Sequence, residues 1–294
     1  MSTNVTSITG EVSSAKHKRQ VISHQLSRWI PLMILAIMSG VVLAPIMWTI
    51  STSLRTGVDS FTVPPKWLPT DFAWQNYRQV FETVPFARQI FNSTVITWGT
   101  VLGQLITAAL AGYAFARLEF KGRDLLFWVV LATMMIPVQA TVIPVFILIR
   151  SMGLFDTVWS LILPATPTAF GAFLLRQYYL SIPIELEESG LIDGASQWQL
   201  FYRIYLPLVR PGLAVLAILS FNFHWNEFFR PLIFLQHENY PITIGIFQLQ
   251  GYMMTGSISV VLAGVVVSLV PVIIIFLFGQ RYLIEGIMRG AIKG

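Results

Sequence analysis

The chain has 294 residues, 55% of them hydrophobic and only 11% charged, with a mean hydropathy of +0.67 and a formal net charge of +5. A soluble domain carries about 25% charged residues, so this composition points to an integral membrane protein and away from a nucleic-acid-binding domain, which needs a basic face on a soluble fold. The absence of cysteine excludes disulfides, thiolate metal sites and cysteine nucleophiles.

Residues 1–28 are rich in Ser, Thr and Val without helical patterning, and are expected to form a cytoplasmic tail. A cleavable leader is not expected, because the apolar region beginning at Ile30 is too long and the charged stretch before it too extended. The remainder, 29–294, reads as one transmembrane domain. A span needs about 20 apolar residues, and Trp29–Leu54 is an uncharged run that supplies the first.

The external loop 55–88 follows. Its stretch Val63–Pro69 is extended by proline stereochemistry, and over Asp71–Val84 the residues Trp74, Tyr77 and Phe81 recur at helical intervals. That segment predicts a short interfacial helix. Gln89–Ala116 is an uncharged second span whose Gly99, Gly103, Ala108, Ala109, Ala111 and Gly112 permit close helix approach. A short turn, Arg117–Asp124, makes its successor an antiparallel neighbour. Leu125–Ile149 and Thr157–Leu175 are the third and fourth spans.

Between Ser181 and Pro211 lies a polar arm. It opens with Glu185, Glu187 and Glu188 where a helix dipole favours anions, and reaches a natural break at Gly194. It continues with an aromatic stripe of Trp198, Phe201, Tyr202 and Tyr205. Pro207 is expected to end the regular backbone and Pro211 to open the next span. Such an arm either inserts into a groove on a partner protein or lies on lipid headgroups.

The fifth span, Pro211–Leu235, is the weakest, holding Asn222, His224, Asn226, Glu227 and Arg230. After a loop over Gln236–Ser257, Ile258–Gln280 completes six helices, an all-α polytopic membrane bundle. Pro45, Pro137, Pro144, Pro164, Pro167 and Pro271 fall inside spans, as hinges or as static kinks. Thirteen of the 19 Lys and Arg residues lie on one side of this topology and six on the other. The positive-inside rule therefore places both termini and the arm in the cytoplasm.

Chemistry is sparse. The four histidines have no metal-ligand spacing, and no Gly-Lys dipeptide exists to build a phosphate-binding loop. No catalytic, cofactor-binding or metal residue is assigned. In the fifth span, Asn222, Asn226 and Arg230 recur every four residues and share a face. Glu227 lies three before Arg230, within pairing reach. Asn222, Trp225, Asn226 and Glu227 form a candidate substrate-path surface, with helix-to-helix bonding and interfacial anchoring as the alternative.

The arm also carries a family pattern: Glu-Ala-Ala, three residues, Gly, nine residues, Ile-x-Leu-Pro. Glu188-Ser189-Gly190 stands in the first place, Asp193-Gly194-Ala195 in the second, and Ile204, Leu206 and Pro207 in the last. In this it resembles permease subunits of bacterial ABC importers. The fit departs from the pattern at Ser189 and Gly190, both small.

Phe221–Leu235, Gln280-Arg281-Tyr282 and the terminal Gly290–Gly294 are similar to the carbohydrate subfamily, of the maltose and glycerol-phosphate type. The resemblance covers the chain from the first span onward. It implies a type I importer permease in the bacterial plasma membrane that works with a second permease, two ATPase subunits and an extracytoplasmic solute-binding protein. ATP and magnesium would reside on the partner subunits and no cofactor on this chain. It further implies that Glu188, Ser189, Gly190, Asp193, Gly194, Ala195, Ile204, Leu206 and Pro207 form the ATPase-coupling segment. The competing reading is a secondary, ion-coupled transporter of a small polar solute, against which the uncharged centres of the other spans argue.

Overall fold

A computed structural model describes residues 5–57, 68–69, 71–251 and 257–291, with side-chain surroundings from Trp29 to Tyr282. Most of the extended stretch Val63–Pro69 and the last three residues of the terminal motif lie outside the described residues. The chain divides into two compact units, Met1–Ala73 and Trp74–Gly294.

The first unit is dominated by one helix, α1 (Val5–Ser53), which contains Pro31 and Pro45. Its apolar part, Trp29–Ser53, is long enough to cross a membrane. The tail read as non-helical is thus helical from Val5. Once a long span has formed, adding residues costs little, and between Val5 and Trp29 Gly10 is the lone strong breaker. At its C-terminal end Arg55 Nη2 donates to Ser51 Oγ at 3.1 Å and the guanidinium lies 4.6 Å above the Trp48 ring.

The second unit is built around α3 (Phe86–Arg117), preceded by the short α2 (Gln75–Thr83). In α2 the apolar spacing buries Val80 while Trp74 and Phe81 stay exposed. After a turn with Gly122 at φ +82° come α4 (Arg123–Ala132), a 3-10 turn at Thr133–Met135 and α5 (Val138–Ser151). Then follow α6 (Trp159–Ala165) and α7 (Ala169–Leu180). The arm contributes α8 (Glu185–Ile192) and α9 (Gln197–Leu208). The chain ends with α10 (Arg210–Trp225), α11 (Phe229–Phe234), α12 (Ile242–Leu249) and α13 (Ile258–Ala291).

Three of the expected spans are not straight. α4 and α5 meet at 102° around Pro137, and Ile136 before it is extended at φ −84°, ψ 116°. A proline pushes its predecessor out of the helical region, so one apolar run becomes two arms. The run Thr157–Leu175 is broken between Ala165 and Ala169, next to Pro167, into pieces of 7 and 12 residues. The fifth ends at Trp225 and resumes at Phe229. Among the described residues, unbroken helices of crossing length are Trp29–Ser53, Phe86–Arg117 and Ile258–Tyr282, with α4–α5 and α9–α10 as bent pairs.

The break between α6 and α7 is held by α3. Gln104 Nε2 donates to Ala165 O at 2.7 Å and Thr107 Oγ1 to Thr166 O at 2.8 Å. These bonds satisfy carbonyls that the interrupted helix cannot, which is how a membrane bundle tolerates proline. Further along, α3 and α7 touch at Gly112, where a Cβ would stand 2.9 Å from Leu175 Cβ and 3.0 Å from Arg176 N. Because one obstacle is backbone, Gly112→Val is expected to cost about 1–3 kcal/mol, as other overpacked contacts do. The readout is a lower thermal midpoint of the purified protein in detergent; an unchanged midpoint contradicts the contact.

Candidate functional site

The bend of the arm is made by two standard devices placed back to back. Gly194 sits at φ +77°, its amide donates to Leu191 O at 3.0 Å, and the next amide, Ala195 N, donates to Gly190 O at 2.9 Å. This pair of bonds is a Schellman ending. Nothing lies within 4 Å of a Cβ built on Gly194, so its requirement is left-handed backbone rather than space. One residue later Ser196 opens α9 with a capping box: Gln199 N donates to Ser196 Oγ at 3.4 Å and Ser196 N to Gln199 Oε1 at 2.7 Å.

Gly190 serves a different purpose. A Cβ there would meet Leu200 Cδ2 at 2.6 Å and Ile204 Cδ1 at 3.1 Å. This small residue is the gap through which α9 closes against α8. Over Leu200–Tyr205 the arm widens to a π-helix. Pro207 contributes to this, since it has no N–H to offer the Arg203 carbonyl four residues back. The backbone nevertheless continues helical through Leu208 and Val209 N still donates to Tyr205 O at 3.1 Å, so the regular run ends one residue beyond the proline that was expected to stop it.

The aromatic stripe divides between two environments. Phe201 and Tyr205 are buried with Tyr113, Tyr179, Leu200 and Val209, while Trp198 and Tyr202 are exposed. Tyr113 forms the hub, with centroids 5.7 Å from Tyr179, 5.2 Å from Phe201 and 5.4 Å from Tyr205. Its hydroxyl donates to Gln197 Oε1 at 2.8 Å. The root of the arm is therefore continuous with the core of α3 and α7.

A charge lock completes that root. Glu187, buried on α8, accepts from the Tyr205 hydroxyl and lies 3.7 Å from Arg117 Nη1. Arg117 Nη2 donates to Tyr179 O at 2.6 Å and also to Ile182 O, and the guanidinium sits 4.9 Å over the Tyr205 ring. Burial pushes the Tyr205 hydroxyl up from its ordinary value and its bond to Glu187 adds to the shift, against the lowering by Arg117. The hydroxyl stays a donor at every physiological pH.

The tip is the opposite of the root. Glu188, Ser189, Asp193 and Gly194 are exposed, together with Leu191, Trp198 and Ile192, the last at 86%. Ala195, Ile204, Leu206 and Pro207 are half-buried between tip and root. The segment thus presents an acidic and apolar end on a rigid base.

The second constellation surrounds a cavity of ≈ 590 Å³ among α3, the turn after α4, the α6–α7 break, α10 and α11. Ser220 Oγ donates to Gln104 Oε1 at 2.6 Å, and Gln104 Nε2 lies 3.1 Å from His224 Nε2. His224 Nδ1 lies 3.3 Å from Glu227 Oε2, and Arg230 grips Glu227 through Nε and, at 2.6 Å, through Nη2. The chain of contacts has one consistent proton assignment. Gln104 uses its amide hydrogens on Ala165 O and His224 Nε2, so the ring accepts there and donates from Nδ1 to the carboxylate.

Of the candidate substrate-path surface, Asn222 and Asn226 are exposed and joined, with Asn226 Nδ2 2.8 Å from Asn222 O. Trp225 is instead a core residue: it stacks on Phe221 at 5.5 Å and its Nε1 donates to Ser268 O at 3.1 Å. Arg230 does not continue the Asn222–Asn226 face, because α10 stops at Trp225 and the chain turns. It is buried over the cavity beside Glu227. Sequence reasoning overlooked Gln104, Ser220, Arg117 and Tyr113, and read Glu187 only as a first-turn acid. A lone glutamine in an uncharged span was a usable signal, because buried amides need partners.

Comparison with known proteins locates this architecture. Residues 104–288 match the family model described as binding-protein-dependent transport system inner membrane component. The chain is similar to the trehalose transport system permease protein SugB of Mycobacterium tuberculosis (strain CDC 1551 / Oshkosh), 36% identical over 264 residues, covering 87% of this chain and 94% of SugB. It is 27% identical over 238 residues to the sn-glycerol-3-phosphate transport system permease protein UgpE of Yersinia enterocolitica, covering 78% of this chain and 84% of UgpE. A crystal structure of a bacterial ABC transporter involved in the import of the acidic polysaccharide alginate aligns with a TM-score of 0.76 at 26% identity, covering 88% of this chain and 97% of the matched one.

Proposed function

The chain belongs to the family of binding-protein-dependent transport system inner membrane components, and on that premise we propose that it is one of two permeases through which an ATP-driven importer carries carbohydrate. A second permease completes the path, two ATPase subunits dock on the arms, and an extracytoplasmic solute-binding protein delivers the sugar. ATP and magnesium act on the ATPase subunits. Both termini and the arm face the cytoplasm of a bacterial cell.

The observation that carries this reading is the division of the arm. Its root is fused to α3 and α7 by buried aromatics and the Glu187–Arg117 lock, and its tip exposes Glu188, Asp193, Trp198 and Ile192. A partner that pulls on such a tip moves the bundle through the buried contacts that join the root to α3 and α7. Glu188 supplies a charge for the socket, and Gly194 sets the angle of the lever. Relatives that are transport-system permeases support this assignment over an ion-coupled carrier.

Uptake by the reconstituted importer is expected to stop when the ATPase subunits are made hydrolysis-dead. Continued uptake following an ion gradient would sink the reading. On the transport path we assign Asn222 and Asn226 to sugar contact, with Trp225 fixing the helix beneath them and Glu227 setting its end. Asn226→Ala is expected to raise the apparent KM for the sugar about five- to tenfold, the scale of one hydrogen bond. A drop in protein abundance with unchanged KM would make the residue structural.

A further inference from the structure

α3 carries polar side chains along most of its length, and at each step they hold a loop, a helix break or the arm. Near its N-terminal end Asn92 Nδ2 donates to Tyr240 O at 3.1 Å and Ser93 Oγ accepts from Ile242 N at 2.8 Å, which fixes the loop leading into α12. In the middle Gln104 and Thr107 hold Ala165 O and Thr166 O. At the C-terminal end Tyr113 bonds Gln197, and Arg117 bonds the carbonyls of Tyr179 and Ile182 beside Glu187. Asn92 and Arg117 stand about 38 Å apart along a regular helix, most of the thickness of a bilayer.

Among the described residues of α3, Gln104 alone bonds to both helix breaks. At the α6–α7 break its Nε2 donates to Ala165 O. On α10, just before the α10–α11 break, its Oε1 accepts from Ser220 Oγ and its Nε2 meets His224 Nε2. His224 passes the contact to Glu227 inside that break, and Glu227 passes it to Arg230 on α11. Thr243 Oγ1 on α12 donates to Glu227 O at 2.8 Å. One string of bonds therefore crosses both interruptions and is joined to α3 through a single buried amide. The α6–α7 break has a second tie to α3 in Thr107; the α10–α11 break has no other hydrogen bond from α3 among the described residues.

We infer that Gln104 is a positioning residue for transport, which makes the α10–α11 break follow α3, and with it the arm, in step with the α6–α7 break. This rests on the importer reading above, which supplies the pull on the arm. α3 is one unbroken helix between Gln104 and Arg117, so displacement of the arm's root displaces the amide. Broken helices are the places where a packed bundle yields, because a few terminal residues absorb the backbone change. Two such joints on one cavity move as a pair only if something binds them to the same support. Without the amide, Thr107 still carries the first break, and the second is left to apolar packing.

The chain has no cysteine, so single cysteines can report on each break. Phe170→Cys marks the start of α7 and Phe223→Cys the end of α10; both side chains are exposed and line the cavity. The importer, this permease with its companion, ATPase subunits and solute-binding protein, is placed in phospholipid vesicles. Labelling of this chain by a water-soluble maleimide is timed without nucleotide and with ATP held by hydrolysis-dead ATPase subunits. With Gln104 present, ATP is expected to change the rate at both cysteines. With Gln104→Met the change persists at Phe170→Cys and is lost at Phe223→Cys. Loss at both sites, loss at neither, or no ATP response with Gln104 present overturns the inference and leaves the importer reading standing, whereas uptake that needs no ATP removes both.

Kinetics separate positioning from contact with the solute. With trehalose as probe, Gln104→Met is expected to lower the kcat of uptake about five- to tenfold, the scale of one lost hydrogen bond. KM stays within about twofold, and more ATP is spent per sugar carried. A raised KM would make Gln104 a solute contact, and fewer assembled complexes with unchanged kcat would make it structural; either overturns the inference. If trehalose is not carried, the labelling decides alone. Should Gln104→Met fail to assemble, Ser220→Ala with His224→Leu removes both α10 partners of the amide and is expected to lose the response at Phe223→Cys. Ser220→Ala with His224→Gln restores an acceptor for Gln104 Nε2 and keeps it. Equal responses in these two double variants overturn the inference.

Discussion

Replacing Glu187 by alanine is expected to abolish coupled uptake while the chain still inserts into the membrane. The change leaves Arg117 charged and buried beside the Tyr205 ring, and removes the acceptor for a buried hydroxyl. Breaking a buried pair from one side costs about 3–5 kcal/mol, a large fraction of the stability of a domain. The measurement is uptake against ATP hydrolysis in the reconstituted importer, with α3 and the arm reported on by a crosslink between Tyr113 and Gln197 positions. Loss of uptake with hydrolysis retained marks a lever freed from its base.

The double variant Arg117→Met with Glu187→Met is expected to be less damaging than Glu187→Ala alone, since exchanging a buried pair for apolar groups is often neutral. Recovery will be partial, because Arg117 also donates to Tyr179 O and Ile182 O, and those carbonyls lose their partner. A double variant as harmful as the sum of its parts would deny that the two residues act as a unit.

Gly194→Val carries the second large effect. A β-branched residue at φ +77° meets the steric cost of left-handed backbone, of order 1–2 kcal/mol and higher for a branched side chain. The cheapest relief is to rotate out of that conformation, which breaks the bonds from Gly194 N and Ala195 N and swings α9 away from α8. Uptake is expected to fall about tenfold or more with normal membrane insertion. Gly194→Asn is the informative companion, because asparagine tolerates this backbone and nothing occupies the space around it; it is expected to retain most activity. Equal loss in both would mean that the position acts through a side-chain clash with the partner and not through the bend.

Much of the site was legible along the chain. The arm announced itself as a charged, aromatic interruption between apolar runs, and the glycine at its bend could be named because only a few residues accept a positive φ. The spacing put Glu227 within pairing reach of Arg230, and the pair does form, but across the turn between α10 and α11 and not on one helix face. By contrast, Gly190 could be read only as a small residue of the family pattern, and the approach of Leu200 Cδ2, 2.6 Å from where a Cβ would stand, shows that α9 closes on α8 at this point. The aromatic stripe was seen as one face, but the π-turn over Leu200–Tyr205 and the neighbouring α3 decide which rings are covered.

By itself the sequence determined the membrane class, the position and bend of the arm and the family. Composition, run length and local backbone preference are properties of contiguous residues. Tertiary structure alone decided that Arg117 reaches across 70 residues to Glu187 and that Gln104 meets Ser220 and His224 more than 100 residues away. It also decided that α4–α5 folds back at 102° and that Trp225 packs inward. The physical reason is the same in each case: a buried polar group or a broken helix takes whatever partner the packing brings within reach, and that partner is chosen by how helices stack in space, not by what stands next to it in the chain.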